Sequence, residues 1–169
     1  MDTTRPDPPA HAVIAPGSGT HYHFLNHLST VKVAAEGRRS MSVMHFEGTR
    51  GMSAPLHRHE YEDELFVVLA GELAFTLGEE QLAGPTGSVA YLPHSVPHTF
   101  QVVSDSATVI TVCASRSQTP RFDEMIAALG SPLDEPVLPA DVAIDPAEVK
   151  EVCAAYGITV LGPPPPPLP

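Results

Sequence analysis

Two histidines stand two residues apart in the segment GMSAPLHRHEYEDELFVVLAG, residues 51–71. Successive side chains leave opposite faces of an extended chain, so His57 and His59 share one face while Arg58 points to the other. Two imidazoles on one face of a strand can bind a single metal ion. This pair is the first candidate site in the chain.

A carboxylate ligand is available shortly after this pair, from one of three neighbours: Glu62, Asp63 and Glu64. We prefer Glu64, because Glu64, Phe66 and Val68 alternate along a strand and form one inward-facing row. Glu64 lies five residues after His59, an odd spacing that would place it on the opposite face of a continuous strand. The acidic stretch at residues 60–63 permits a bend that returns Glu64 to the histidines.

A third histidine follows a turn within residues 87–103. Pro93 and Pro97 restrict the backbone of that turn, and His98 begins the next apolar run. Neutral imidazoles with one carboxylate suit Fe, Ni, Mn, Co or Zn and suit Ca or Mg poorly. Such a site on a six-coordinate metal leaves two positions for water, substrate or dioxygen. The sequence therefore predicts one divalent transition metal held by four side chains: His57, His59, Glu64 and His98.

The spacing of these residues resembles the first signature motif of the cupin superfamily. That motif runs Gly, five residues, His-x-His, three or four residues, Glu, six residues, Gly. It is matched, with the four-residue spacer, by five positions: Gly51, His57, His59, Glu64 and Gly71.

The second cupin motif runs Gly, five residues, Pro-x-Gly, two residues, His, three residues, Asn. Gly87, Pro93 and His98 match it, while Ser95 replaces the second glycine and Val102 replaces the asparagine. Neither substituted position is a usual metal ligand in the family. The Ser95 replacement predicts an altered turn before His98.

The resemblance implies an all-β fold, the double-stranded β-helix or jelly roll, with the metal inside the barrel. Four segments also resemble small monocupins of the quercetin 2,3-dioxygenase-like type: residues 19–33, 54–75, 128–132 and 155–164. This implies a metal-dependent dioxygenase that acts on a flavonol or a similar enediol or polyphenolic substrate. In that mechanism Glu64 is the catalytic base, and the histidines hold the metal.

Two other functions remain open on the same ligand set. A cupin isomerase, cyclase or decarboxylase would use Glu64 as base on a keto-enol metabolite without consuming dioxygen. A non-catalytic metal-binding cupin would use the metal for stability alone. Either enzyme needs a pocket for an aromatic or enolic substrate, and we expect it to be lined by six residues: His45, Phe46, Phe66, Phe75, Tyr91 and Phe100.

The elements that must position these residues are short strands. Runs rich in β-branched and aromatic residues, separated by turn signals, indicate antiparallel strands of a barrel or sandwich. We predict seven: residues 29–35, 40–47, 64–70, 72–78, 88–93, 98–103 and 107–114. Helical periodicity and capping signals then predict helices at 121–130 and 145–157, which we expect to pack as lids against the outside of the β domain.

The 169-residue length suits one domain. We predict a single cupin domain with a barrel and a helical C-terminal extension, between a flexible N-terminal tail and a proline-rich C-terminal tail. In order, the tail covers residues 1–9, the domain 10–162 (barrel about 29–114, extension 115–162) and the proline-rich tail 163–169.

The formal net charge of −11 repels phosphate backbones and anionic lipids, so nucleic acid and membranes are not expected partners. The N-terminus lacks the pattern of a signal peptide, and we expect a cytoplasmic protein. Cys113 and Cys153 lie in apolar runs and are expected to be buried thiols. The family resemblance implies a homodimer that pairs edge strands near the N-terminus.

Overall fold

A computed structural model describes residues 12–36, 40–138, 140–164 and 166. The predicted flexible tail at residues 1–9 lies outside the described residues. So do residue 165 and residues 167–169 of the predicted proline-rich tail.

The described residues form twelve strands and two helices. In chain order they are β1 (Thr20–Phe24), β2 (His27–Val33), β3 (Met41–Thr49), β4 (Leu56–His59), β5 (Asp63–Ala70), β6 (Glu72–Leu77), β7 (Glu80–Pro85), β8 (Val89–Leu92), β9 (His98–Val102), β10 (Ser106–Ala114), α1 (Phe122–Leu129), β11 (Ser131–Leu133), α2 (Pro146–Ala155) and β12 (Ile158–Gly162). Neither helix is long and apolar enough to cross a membrane, within the described part of the chain.

The strands form two antiparallel sheets. One has seven strands in the order β11-β1-β2-β3-β10-β5-β8, and the other has five in the order β12-β4-β9-β6-β7. Consecutive strands repeatedly cross from one sheet to the other, as β4 and β5 do, which is the connectivity of a jelly roll. The predicted all-β jelly-roll fold is therefore confirmed.

All seven predicted strands and both predicted helices are present, with ends displaced by one or two residues in most cases. β1, β4 and β7 were not among the seven. β7 gives little signal, because EQLAGP has no β-branched or aromatic residue and is largely exposed. The segment 115–162, predicted as a helical extension, also contains β11 and β12. β12 joins the five-stranded sheet, where Ile158 pairs with His59 and Val160 with His57.

The interior contains two apolar clusters. One joins the inner faces of both sheets to the helices and comprises Phe24, Met44, Phe46, Cys113, Phe122, Met125, Ile126, Val149, Cys153 and Ile158. The other lies between the sheets and comprises Met52, Phe66, Val68, Leu73, Phe75, Leu92, Phe100, Val102, Ala107 and Val109. Cys113 and Cys153 are buried free thiols, as predicted.

The helices predicted as lids against the outside of the β domain lie beside the space between the sheets and not on the outer face of either sheet. Phe122 and Val149 pack with inward-facing Phe46 of β3 and Ile158 of β12, which belong to opposite sheets. The two helices therefore close one side of the space between the sheets. α2 begins as its sequence predicts, with the Asp145 side chain accepting a hydrogen bond from the backbone N–H of Ala147 at 2.9 Å.

Candidate metal centre

The strand pairing brings the three histidines together. β4 lies beside β9, and His57 is directly opposite His98, with ring centroids 4.4 Å apart. His59 leaves the same face of β4, and its ring centroid is 5.3 Å from that of His57. The side chains of His57, His59 and His98 are all buried.

The carboxylate reaches the histidines from the other sheet. Residues 60–62 carry the chain from β4 in the five-stranded sheet to β5 in the seven-stranded sheet, which is the bend that the odd spacing requires. Glu64 Oε2 lies 3.3 Å from His98 Nε2 and 3.7 Å from His59 Nε2. One ligand atom from each of His57, His59, Glu64 and His98 lies within 4.8 Å of the others.

Hydrogen bonds fix two of the imidazoles with Nε2 available. His57 Nδ1 donates to the carbonyl of Pro55 at 2.8 Å, and His98 Nδ1 donates to the carbonyl of Val96 at 2.8 Å. A carbonyl only accepts, so Nδ1 carries the proton and Nε2 of the neutral ring keeps a lone pair. The Nε2 atoms of His59 and His98 are buried without a hydrogen-bond partner among the described residues. This donor set fits a divalent transition metal.

The charges in the cluster favour the same assignment. Burial, with the two other imidazoles nearby, lowers the pKa of His57 to about 3, so this ring is neutral at neutral pH. Burial opposes ionisation of Glu64, but contact with His98 and the nearby imidazoles of His59 and His57 lowers its pKa overall. Burial likewise opposes protonation of His59, but Glu62 and Glu64 raise its pKa. Glu64 therefore supplies a negative charge at the centre.

The competing carboxylates point elsewhere. Asp63 faces outward and accepts hydrogen bonds from the backbone N–H of His94 and the hydroxyl of Tyr91, each at 2.9 Å. Glu62 is buried behind His59, where its Oε2 lies 3.6 Å from His59 Nδ1. Of the three carboxylates weighed from the sequence, only Glu64 reaches the Nε2 side of the histidines.

Cys113 offers an alternative ligand set with His59 and Glu62, since these three residues also place donor atoms within 4.8 Å of one another. Burial and the nearby carboxylates of Glu64 and Glu62 raise the pKa of the Cys113 thiol well above its ordinary value. This set offers one imidazole, whereas the set that contains Glu64 offers three imidazoles and a carboxylate. The set that contains Glu64 is therefore the better candidate.

A small cavity adjoins His57 and Glu64. Its volume is about 40 Å³, enough for a few water molecules. Its walls are mostly apolar and come from both sheets and both helices: Phe24, Leu25, His27, Phe46, Ala54, Pro55, His57, Glu64, Phe100, Phe122, Met125, Val149, Cys153, Ile158 and Val160. Phe46 and Phe100 of the predicted pocket are among them.

Four other predicted pocket residues lie outside this cavity. His45 precedes inward-facing Phe46 on β3 and therefore points to the outer face, and Tyr91 does the same beside buried Leu92. Phe66 and Phe75 are buried in the second apolar cluster, with ring centroids 5.4 Å apart. The structure therefore does not bring these four residues to this cavity, because adjacent strand residues cannot share a face and a buried aromatic ring usually packs in the core.

A second depression lies outside the cavity and shares part of its wall. This outer groove has a volume of about 560 Å³ and is lined by Leu25, Ser53, Pro55, Ile144, Pro146, Val149, Lys150, Val160, Leu161, Gly162, Pro163 and Pro164. Four apolar residues, the constriction residues, line both spaces: Leu25, Pro55, Val149 and Val160. Lys150 is the one charged residue in the described lining of the groove.

The turn before His98 keeps the conformation that a glycine would adopt. Ser95 has a φ of 66°, in the left-handed region, and its backbone N–H donates to the carbonyl of His59 at 2.7 Å. The sequence predicted an altered turn from the Ser95 replacement, and that stays a prediction. A serine in this left-handed conformation is strained, whereas a glycine would not be.

Comparison with known proteins places this geometry in a family. The Cupin domain model matches residues 43–114, a range that includes all four candidate ligands. Quercetin 2,3-dioxygenase from Bacillus subtilis is 27% identical over 121 residues, which cover 70% of this chain and 34% of that enzyme. This chain thus spans about a third of that relative's length. An uncharacterized protein from Streptomyces coelicolor is 30% identical over 95 residues, covering 52% of this chain and 90% of that protein.

Solved structures share the fold at low sequence identity. A predicted oxalate decarboxylase from Thermotoga maritima has a TM-score of 0.55 at 16% identity, with 62% of this chain and 99% of that chain covered. KdgF from Halomonas sp. has a TM-score of 0.50 at 18% identity, with 55% of this chain and 82% of that chain covered. The Cupin domain model, the sequence relatives and the two motifs show that the chain belongs to the cupin superfamily.

Proposed function

We propose that this protein is a metal-dependent dioxygenase that acts on an enediol or polyphenolic substrate. The observation that carries the proposal is an ionised, buried Glu64 among three imidazoles, at the wall of an apolar cavity. The similarity to a quercetin 2,3-dioxygenase supports the reaction class, although it covers about a third of that enzyme.

Each residue of the centre has a role in this proposal. His57, His59 and His98 would hold the metal with Glu64, and the bound metal would supply the Lewis acidity that lowers the pKa of a substrate hydroxyl. Glu64 accepts the hydroxyl proton on its carboxylate, since a carboxylate can give up one contact while keeping another. The apolar wall, including Phe46, keeps bulk water from the reacting end of the substrate.

The size of the cavity limits what it can hold. At about 40 Å³ it admits the reacting end of a substrate and not an entire flavonol. The rest of a larger substrate would pass the constriction residues and lie in the outer groove. Lys150 at that groove suits an anionic substituent.

The same small volume favours a second candidate. A compact keto-enol metabolite fits the cavity better than a flavonol does. On such a substrate Glu64 would act as the base of an isomerase, cyclase or decarboxylase, and no dioxygen would be consumed.

Oxygen uptake separates the two candidates. We would load the protein separately with Fe, Mn, Co, Ni and Zn and measure oxygen consumption and product formation with quercetin and with catechol. The proposal expects oxygen uptake with at least one of these substrates. Product formation without oxygen uptake would favour the second candidate.

Substitution of Glu64 tests the base. We expect Glu64→Gln to retain much of the metal and to lose turnover by about 10²- to 10⁴-fold, because the amide cannot accept the proton. His57→Ala is expected to lose both metal and turnover. Glu72→Gln, the same change at an exposed residue of β6, is the matched control. Full activity of Glu64→Gln would show that the base assignment is wrong.

A further inference from the structure

One histidine of the cavity wall has no role in the candidate metal centre. His27 begins β2, is 3% exposed, and lines the cavity that adjoins Glu64. Its ring packs edge-on against Phe24 and Phe46, with centroid distances of 5.2 and 4.8 Å. It was not among the residues that the sequence predicted for the pocket.

The two nitrogens of His27 differ in their surroundings. Nδ1 donates to the carbonyl of Leu25 at 3.3 Å, which leaves Nε2 of the neutral ring with a lone pair. Nε2 is buried and has no hydrogen-bond partner among the described residues. Burial lowers the pKa of His27 to about 4, so the ring stays neutral at physiological pH. A buried acceptor without a donor is costly, and such groups occur where a ligand or water completes them.

The backbone holds this ring in place. Leu25 and Asn26 both have positive φ, 46° and 61°, in a two-residue turn that pairs Phe24 with His27. The Asn26 side chain accepts a hydrogen bond from the backbone N–H of Val142 at 2.9 Å and donates to its carbonyl at 3.1 Å. Two residues without glycine's freedom are thus kept in a strained conformation, as often occurs at binding sites.

The rest of the cavity wall offers few polar groups. His57 and Glu64 belong to the candidate metal centre, and the Cys153 thiol is a weak partner. Among the side chains of the described wall outside the candidate metal centre, His27 is therefore the one that holds a strong acceptor without a hydrogen-bond partner. An acceptor of this kind selects a hydroxyl donor and disfavours an ether or a carboxylate.

We infer that His27 Nε2 accepts a hydrogen bond from a second hydroxyl group of the substrate, distinct from the hydroxyl that loses its proton to Glu64. The inference rests on the proposed function for the orientation of the substrate. It narrows the substrate class to compounds that carry at least two hydroxyl groups on a small apolar frame.

The test compares dihydroxybenzenes with phenol under anaerobic conditions. Cobalt-loaded protein is titrated with phenol, catechol, resorcinol and hydroquinone, and binding is followed by calorimetry and by the cobalt spectrum. In the natural protein, at least one diol is expected to bind roughly tenfold tighter than phenol, the size of one buried hydrogen bond. Absence of any such preference would overturn the inference.

Variants of His27 test whether this side chain causes the preference for a diol over phenol. His27→Phe keeps a ring but has no acceptor, and it is expected to bind phenol and the preferred diol equally. His27→Gln restores a side-chain acceptor and is expected to recover part of the preference. His45→Phe, the same change on the outer face of β3, is the matched control and is expected to keep the full preference. An unchanged preference in His27→Phe would overturn the inference.

The readouts distinguish this inference from the proposed function. Binding is measured without dioxygen, so a His27-dependent diol preference in a protein that never consumes oxygen would support the inference and contradict the dioxygenase. Oxygen uptake with no diol preference would support the dioxygenase and contradict the inference. Circular dichroism checks that each variant is folded, and removal of an unpaired buried nitrogen gives no reason for His27→Phe to unfold.

Discussion

The three histidines of the candidate metal centre differ in the group that lies next to Nδ1 of each ring. His57 and His98 donate to backbone carbonyls, whereas Nδ1 of His59 faces Oε2 of Glu62 at 3.6 Å. Neither of these two atoms has a hydrogen-bond partner among the described residues. Glu62 Oε1 accepts a hydrogen bond from the backbone N–H of Arg121 at 2.5 Å. Glu62 thus connects His59 to the start of α1.

A carboxylate behind a ligating histidine orients the ring and increases its basicity. We therefore expect Glu62→Gln to lower the affinity for Zn or Co by about 10- to 100-fold while the protein stays folded. The amide can still accept from Arg121, so the attachment of α1 is kept. Competition with a chromogenic chelator gives the affinity, and Glu60→Gln in the same connection is the control. Equal metal affinities for Glu62→Gln and the natural protein would contradict this role.

The burial of His27 also predicts how the folding stability depends on pH. Burial lowers its folded pKa from 6.5 to about 4, so between these pH values the unfolded chain binds a proton that the folded protein does not. Stability therefore falls as pH decreases from about 6.5 to about 4, by up to about 3 kcal/mol from this group. Urea unfolding of metal-free protein at several pH values should show a shallower decline for His27→Phe. Parallel curves for the two proteins would contradict the prediction.

The sequence predicted the candidate ligands better than the cavity wall. His57, His59, Glu64 and His98 follow from spacing, because strand alternation and the two motifs constrain where they point. The wall depends on which strands face the helices, which spacing does not reveal. His45 was predicted beside Phe46 although neighbours on one strand face opposite ways, and His27 was missed because no metal motif includes it.

At the scale of elements, α2 forms part of the wall shared by the cavity and the outer groove. Val149 on this helix is 3% exposed and lines both the cavity and the outer groove. Its side chain, with the other constriction residues, separates the candidate metal centre from the groove. The helix that the sequence predicted as a lid therefore lines both the cavity and the outer groove.

We expect Val149→Ala to widen the opening and to increase the affinity for quercetin relative to catechol. The loss of two buried methyl groups should cost about 2 kcal/mol of folding stability. Binding titrations and urea unfolding give the two quantities. Val152→Ala on the same helix is the control, because Val152 packs against the core cluster and lines neither space. An unchanged ratio of affinities would show that Val149 does not limit entry.

The element predictions failed where local sequence carries little signal. β11 has three residues and β12 follows α2 after only Tyr156 and Gly157, so both were absorbed into the predicted helical extension. Their strand conformation is fixed by pairing with β1 and β4, which are distant in sequence. Tertiary pairing of this kind overrides local propensity.

At the scale of the whole molecule, the outer face of the seven-stranded sheet is unusually apolar. Strand alternation places a row of exposed or half-exposed apolar residues there: Val43, Leu65, Val67, Val89, Tyr91, Ile110 and Val112. A sheet that is apolar on both faces is typically covered on both. The edge of β1, where the family resemblance implied pairing, is occupied by β11.

We predict that two copies associate through this outer face. Light scattering at physiological salt should give the mass of a dimer for the natural protein and of a monomer for Val112→Glu, because two buried charges would face each other without partners. Leu82→Glu, at an exposed apolar position of the five-stranded sheet, is the control and should remain dimeric. A monomeric natural protein would refute the dimer, and a dimeric Val112→Glu would refute this interface.

The pairing of β12 with β4 has a consequence for the order of assembly. The strand that carries His57 and His59 gains its second neighbour from residues 158–162, which the ribosome adds long after β4 and β9 have been made. Until then β4 is an open edge, and the ring positions of its histidines are held from one side only. Metal uptake before this pairing would therefore precede the support that fixes the site, and stable loading belongs after residues 158–162 have joined the sheet.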